Sequence, residues 1–292
     1  MRIKICLTAL LFMIAFAATA ADISFVVYSV TGLVKKNVSV KLKKGDKILE
    51  NETIALADKA SLVLVCSNYK VIQLNKKGSY TAKSLLAQCS QDAAGYTSSY
   101  FKYVWNEFTH PHGKPEANPG EYMKNVGAVS RGCNTVQTGV PVDTIHYLAG
   151  AMPVYWHSSY AQAVLKIYDV PADGAPIQKT VLEKDQPINM EQIAKSLPAG
   201  EYYWQVTDAE GNGCERNYLK VWDKEAYKAR VEALLAGIPV STAAETAFAK
   251  GFVLQENHFL AEALTCYTLA AKLDVKNKLY QKTLSQFYAT QF

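Results

Sequence analysis

Residues 23–34 read Ile-Ser-Phe-Val-Val-Tyr-Ser-Val-Thr-Gly-Leu-Val, and this stretch decides how the first part of the chain folds. From Ile23 to Val30 all residues but Ser24 and Ser29 are β-branched or aromatic, types that pack well on a pleated surface, so the run reads as a strand. Thr31-Gly32 punctuates its end. Further along, Val38 to Leu42 alternates, Lys44-Gly45-Asp46-Lys47 turns, Ser61 to Cys66 and Lys70 to Leu74 alternate again, and Lys77-Gly78 turns. Five or six strands in about sixty residues predict a small β-barrel or sandwich, closed or nearly so to hide its edges.

Upstream, Arg2 and Lys4 precede an apolar run from Ile5 to Ala18, and Ala18-Thr19-Ala20 precedes Ala21-Asp22. This is the pattern of a cleavable signal peptide over residues 1–20. The apolar run is shorter than the roughly 20 residues of a spanning helix, so no transmembrane segment is expected in the mature chain. Cys6 begins the apolar run, whereas a lipid-modified cysteine would end it. The expected destination is the periplasm, the cell surface or the medium.

The 292 residues are 49% hydrophobic and 20% charged, a globular balance that excludes wholesale disorder. Losing Arg2 and Lys4 with the leader lowers the net charge from +5 to +3, which selects no class of partner, and no nucleic acid is expected. Residues 21–83 hold eleven lysines against five carboxylates. Lys43, Lys44, Lys76 and Lys77 are candidates for polyanion or glycan binding; the competing reading places them on edges and turn tips that keep a small sheet soluble.

From Ala82 to Phe108 the period changes: Leu85, Leu86, Cys89, Ala93, Tyr96, Tyr100, Tyr103, Val104 and Phe108 recur at three and four, an amphipathic helix, loosened near Gly95, whose aromatic face suits a core. A linker rich in proline and glycine follows, from His110 to Gly120. Strand signals then return at Val154–Trp156, Ala163–Val170, Thr180–Leu182, Glu201–Val206 and Asn217–Val221, with Trp156 and Trp204 expected in the core rather than in a sugar-stacking platform. The last seventy or so residues are helical. An acidic cap at Asp223 opens a helix that runs to Ala236 and stops at Gly237, and residues 277–292 read as a closing helix.

Five cysteines remain after the leader. Cys133 and Cys214 bracket one domain, so a bridge between them would staple it; Cys66 and Cys89 would then tie a strand to the following helix; Cys266, on an apolar helix face, is the free one. Spacing alone leaves the connectivity open. Candidate chemistry is sparse. His110 and His112 with Glu116 are the one grouping that resembles a metal site, in a segment without a supporting shell. His258 falls in a helix–helix turn, where solvated polar residues are common. No Gly-x-Ser-x-Gly elbow and no glycine-rich phosphate loop is present. No catalytic residue and no cofactor is therefore expected.

Three resemblances organise these segments. Ser29-Val30-Thr31-Gly32-Leu33-Val34, the Gly45-Asp46 turn and Ile54-Ala55-Leu56-Ala57-Asp58-Lys59-Ala60-Ser61-Leu62-Val63-Leu64-Val65 resemble the FecR-type β domain of bacterial extracytoplasmic proteins. That resemblance implies an exported interaction module, here without the segments needed for direct control of a sigma factor. Leu197-Pro198-Ala199-Gly200-Glu201-Tyr202-Tyr203-Trp204-Gln205-Val206 resembles the tyrosine-corner element of immunoglobulin- and fibronectin-like sandwiches, which implies a hydrogen bond from the tyrosine back to the preceding turn. Gly251, Leu254, Ala263, Tyr267 and Ala270, with Phe248 ahead and Val275 where a proline usually sits, resemble one tetratricopeptide repeat from about Ala244 to Asn277. The expected layout is a signal peptide (1–20), a FecR-like β domain (21–83), a helical connector and linker (84–121), an immunoglobulin-like β-sandwich (122–222) and a tetratricopeptide-like helical domain (223–292). The expected function is non-catalytic interaction with another envelope or secreted protein. Carbohydrate or polyanion binding is the alternative, and metal-dependent hydrolysis at His110 and His112 the third.

Overall fold

The computed structural model describes residues 23–89, 97–109, 136–138, 144–158, 162–184, 186–213, 215–239 and 241–291. The expected signal peptide and the linker of residues 110–120 lie outside them. The chain divides into two compact units, Met1–Asp92 and Ala93–Phe292.

The first unit contains β1 (Ile23–Thr31), β2 (Val34–Lys36), β3 (Val40–Lys41), β4 (Lys47–Leu49), β5 (Thr53–Leu56), β6 (Ser61–Cys66), β7 (Val71–Leu74), β8 (Gly78–Thr81) and α1 (Ala82–Cys89). They make two four-stranded antiparallel sheets, in the orders β4-β1-β6-β7 and β3-β2-β5-β8. Phe25, Val27, Val34, Ile48, Ile54, Leu62 and Leu64 come from both sheets and bury into one shared core. The sheets pair separately, so no barrel is closed. More strands form than the five or six expected, because β2 and β4 are too short to show a period of two.

The opening stretch works as a corner. The chain leaves the first sheet at the end of β1, turns at Gly32 and enters the second as β2; it returns through Ala57–Ala60 into β6. The two crossings touch. Gly32 has φ +76°, and a Cβ there would lie 3.0 Å from Ala60 Cα, so both the left-handed backbone and the close approach require glycine. The small side chain of Ala60 in the second turn serves the same contact. At the other corner Leu42 N–H donates to Val34 O (3.0 Å) while Gly45 N–H donates to Val27 O (2.8 Å), linking β2 to β1 through the Gly45-Asp46 turn.

The expected single helix from Ala82 to Phe108 is two. Helix α1 buries Leu85 and Cys89 in the first core, whereas α2 (Ser98–Thr109) belongs to the second unit. The three-and-four spacing fits both helices, so the sequence pattern joins them.

The second unit continues with β9 (Val136–Thr138), β10 (Thr144–Tyr147), β11 (Pro153–Val154), β12 (Trp156–Ser158), β13 (Gln162–Tyr168), β14 (Gln178–Glu183), β15 (Ile188–Asn189), α3 (Met190–Lys195), β16 (Gly200–Thr207) and β17 (Asn217–Val221). One five-stranded sheet has the order β10-β17-β16-β13-β14; β10 runs parallel to β17 and the other pairs are antiparallel. Two short ladders, β11–β15 and β9–β12, complete the described strands. Helix α3 starts where the Asn189 side chain accepts from Glu191 N–H and Gln192 N–H, a capped entry. At the start of β16 the Tyr202 hydroxyl donates to Pro198 O at 3.0 Å. Trp204 is fully buried, and Trp156 is buried with its Nε1 donating to Gln186 O at 2.8 Å.

The chain ends in α4 (Lys224–Leu235), α5 (Ala243–Glu256), α6 (Leu260–Leu273) and α7 (Lys278–Gln291). Asp223 caps α4, accepting from Ala226 N–H at 2.9 Å. In the α5–α6 pair, Ala263 and Ala270 are fully buried, and a Cβ on Gly251 would stand 2.8 Å from the Tyr267 ring. The missing side chain is what lets the helices close onto that ring. The Tyr267 hydroxyl, buried beneath them, donates to Gln255 Oε1 at 2.8 Å. Helix α2 packs on the same bundle through Tyr100 and Tyr103, each within 6 Å of the Phe252 ring (5.6 and 5.7 Å). Tyr100 and Tyr103 of the aromatic stripe pack as core, and Tyr96 lies outside the described residues. Among the described residues no helix is long and apolar enough to cross a membrane.

Candidate functional site

The sheet and the helices of the second unit meet at a joint built around two histidines. Helix α5 ends in a two-bond turn: His258 N–H donates to Gln255 O (3.0 Å) and Phe259 N–H to Leu254 O (2.9 Å). This motif needs a left-handed residue after the cap, ordinarily glycine, and His258 occupies it at φ +65°. The side chain compensates. His258 Nδ1 lies 3.1 Å from Thr144 O, an acceptor, so Nδ1 carries the proton; His258 O in turn accepts from His146 N–H at 3.0 Å. The helix turn therefore covers part of the outer edge of β10. Sequence reasoning placed His258 in a solvated turn; it is half-buried and bonded to the sheet because residues 114 apart come together there.

Beside it, the His146 ring stacks on fully buried Phe259 (4.8 Å between centroids), and its Nδ1 accepts from Trp222 Nε1–H at 3.2 Å. An indole N–H only donates, so His146 Nδ1 must be a lone pair and the ring neutral. Burial, reinforced by the neighbouring His258, Arg230 and Lys220, pushes His146 down to about 4. Tyr227 packs edge-on against Phe259 at 5.6 Å. Neither Tyr227 Oη nor Glu262 Oε2 has a hydrogen bond of good geometry, although the two groups are close enough to interact. Burial raises the Glu262 carboxyl toward its neutral form and the Tyr227 phenol far above its usual range. A neutral histidine with an occupied nitrogen, aromatic walls and a carboxyl driven toward protonation make a packed joint between layers. Nothing in single-residue spacing marks it; an apolar Trp222 followed at once by the Asp223 cap is the nearest sequence signal.

The residues singled out from sequence are distributed elsewhere. Cys66 and Cys89 form a disulfide, with Cα atoms 6.1 Å apart, tying the end of β6 to the end of α1; Asn68 Nδ2 donates to Cys89 O nearby at 2.6 Å. Cys133 and Cys214, and the trio His110, His112 and Glu116, lie outside the described residues. Cys266 is free and half-buried, with burial pushing its thiol up to about 11, so it is a poor nucleophile. Among the described residues no three His, Cys, Asp or Glu side chains gather as metal ligands.

The lysine pairs are exposed but far apart in the fold. Lys43 and Lys44 sit between β3 and β4, which are edge strands on one side of the two sheets; Lys76 and Lys77 sit between β7 and β8, the edges on the other side. Three strand spacings, about 14 Å, separate those edges. They form two loci, and Lys44 Nζ lies 5.5 Å from the Tyr28 ring centroid. Trp105, Trp156 and Trp204 are buried and Trp222 belongs to the joint, which leaves no described tryptophan for a sugar platform. No protein-family model and no curated protein matches the chain.

Proposed function

We propose that this chain is an exported, non-catalytic interaction protein of the cell envelope or surface, in which a FecR-like β module is joined to a unit that holds a repeat-type helical tail on an immunoglobulin-like sheet. The FecR-like part of the reading is supported by the two sheet crossings, where the glycine and the small residues of the quoted pattern touch. The immunoglobulin-like part is supported by a sheet whose edge strand β10 runs parallel to β17 and by the bond from Tyr202 to Pro198. The repeat-like part is supported by the close fit of Gly251 to Tyr267. Each module type serves recognition in many settings, so the step from module to function is by analogy.

The observation that carries the reading is the clamp at His258. It fixes the helix pair to the sheet, and the outer face of α6 then presents Leu269 and Leu273 one turn apart, 46% and 50% exposed, with Val275 beyond them at 69%. Apolar side chains held outward on a rigid support suit a protein partner. The test compares full-length protein with the Leu269→Glu/Leu273→Glu variant in crosslinking pull-downs from the envelope fraction. A specific partner recovered by the first and lost with the second is expected. Identical recoveries would overturn the reading.

A further inference from the structure

The two edges of the five-stranded sheet are treated differently. At β10 the His258 carbonyl and imidazole occupy backbone groups of His146 and Thr144. Among the described residues β14 pairs with β13 alone and is the last strand of the sheet, with Lys179, Thr180, Val181 and Glu183 exposed, Val181 at 64%. An edge strand that is neither covered nor broken by proline is a template for another strand. What it can accept depends on its side chains.

Residues 179–183 read Lys-Thr-Val-Leu-Glu. Laid antiparallel on itself about Val181, this segment sets Lys179 opposite Glu183, Thr180 opposite Leu182 and Val181 opposite its own copy. Side chains alternate along a strand, so Lys179, Val181 and Glu183 share one face, and both charge pairs form on it. A lone edge lysine would repel an identical strand; the carboxylate four residues on makes the edge self-complementary. Within one chain, Lys179 lies directly across from Lys166 of β13, an unfavourable like-charge pair. A carboxylate delivered from outside relieves it. The Glu183 carboxylate already accepts one bond, from Gln186 Nε2 at 3.2 Å, on an exposed side chain that leaves its other oxygen for a cation.

We propose that two copies of this chain associate through β14, antiparallel and centred on Val181, to form a continuous ten-stranded sheet. The occupant of the open edge is a second copy because the charge order of residues 179–183 fits its own reverse. This self-association goes beyond the interaction reading above and does not depend on the α6 face.

Sedimentation equilibrium of the full chain without residues 1–20 tests it, across protein concentrations from about 1 to about 300 µM. A concentration-dependent dimer is expected. Lys179→Glu and Glu183→Lys should each weaken it by about tenfold or more, because each places like charges opposite one another in both symmetric pairs. The double variant Lys179→Glu/Glu183→Lys should restore the original constant to within about threefold, which also shows that the strand tolerates both substitutions, and the circular dichroism of the single variants should match wild type. A chain monomeric throughout, a dimer indifferent to the single reversals, or a double variant no better than the singles would overturn the proposal.

Discussion

Protonating His146 should loosen the joint between sheet and helices, and the size of the effect follows from its surroundings. Its folded value of about 4 lies below the 6.5 of an unperturbed imidazole. Between those two values the unfolded chain binds the proton and the folded chain does not, so stability falls as the pH drops from about 6.5 to about 4 and is insensitive to this group above pH 7. The full difference corresponds to about 3 kcal/mol, which partial solvent access reduces to about 2. The structural cause is specific: a protonated Nδ1 would face the Trp222 indole N–H donor to donor, with His258, Arg230 and Lys220 adding positive charge. Carboxylates also titrate at the acid end of this range, so the measurement is a difference. Urea unfolding of wild type and His146→Gln, whose amide oxygen can still accept from Trp222, is followed at pH 7, 6, 5 and 4, in steps of about one unit. Wild type should lose about 2 kcal/mol more than the variant between the ends of the series. An equal loss in both proteins, or a His146 titration by NMR near 6.5, would refute the reasoning.

Three further outcomes follow from the packing. The disulfide between Cys66 and Cys89 closes a loop with a sequence separation of 23; replacing both by alanine should destabilise the first unit by about 3 kcal/mol in urea, and a loss below about 1 would contradict a stapling role. Gly251→Ala would gain about 1 kcal/mol of helix propensity but drive a methyl into the buried Tyr267 ring, so a net loss of about 1–2 kcal/mol is expected by thermal unfolding; a stabilised variant would show that the helices can separate freely. Tyr202→Phe should cost about 1 kcal/mol through the lost bond to Pro198 O, and no change in unfolding midpoint would mean that the bond contributes nothing net.

How much of this was legible in the sequence depends on how local its cause is. The strand Asn217–Val221 and the strand Ser61–Cys66 match their expected limits, because alternation and flanking turns set them. Gly32, Asp223 and Gly251 were marked for the same reason: each answers a demand visible within a few residues, or within one repeat. The very short strands β2, β4 and β15 carry no strand signal of their own because two or three residues show no period, and they form only when a neighbour supplies the ladder. Of the division between α1 and α2 the sequence shows only a loosening near Gly95, because a helical period does not reveal which core each face enters. The joint was hidden for the most physical reason. His146, Trp222, Tyr227 and His258 each look ordinary alone, and it is the chain's return from α5 to β10 that lowers the imidazole's basicity and fixes its tautomer.

That return, in which a helix turn covers one edge of the five-stranded sheet while the other edge has no further partner among the described residues, is the claim on which the account rests. Amide hydrogen exchange read residue by residue along the two edge strands tests it most directly. The His146 amide, bonded to His258 O, should exchange as slowly as that of Leu219 in the neighbouring strand, while the outward amides of β14 exchange fast in dilute protein. A His146 amide exchanging as fast as those of the exposed Ala172–Ala175 turn would contradict it.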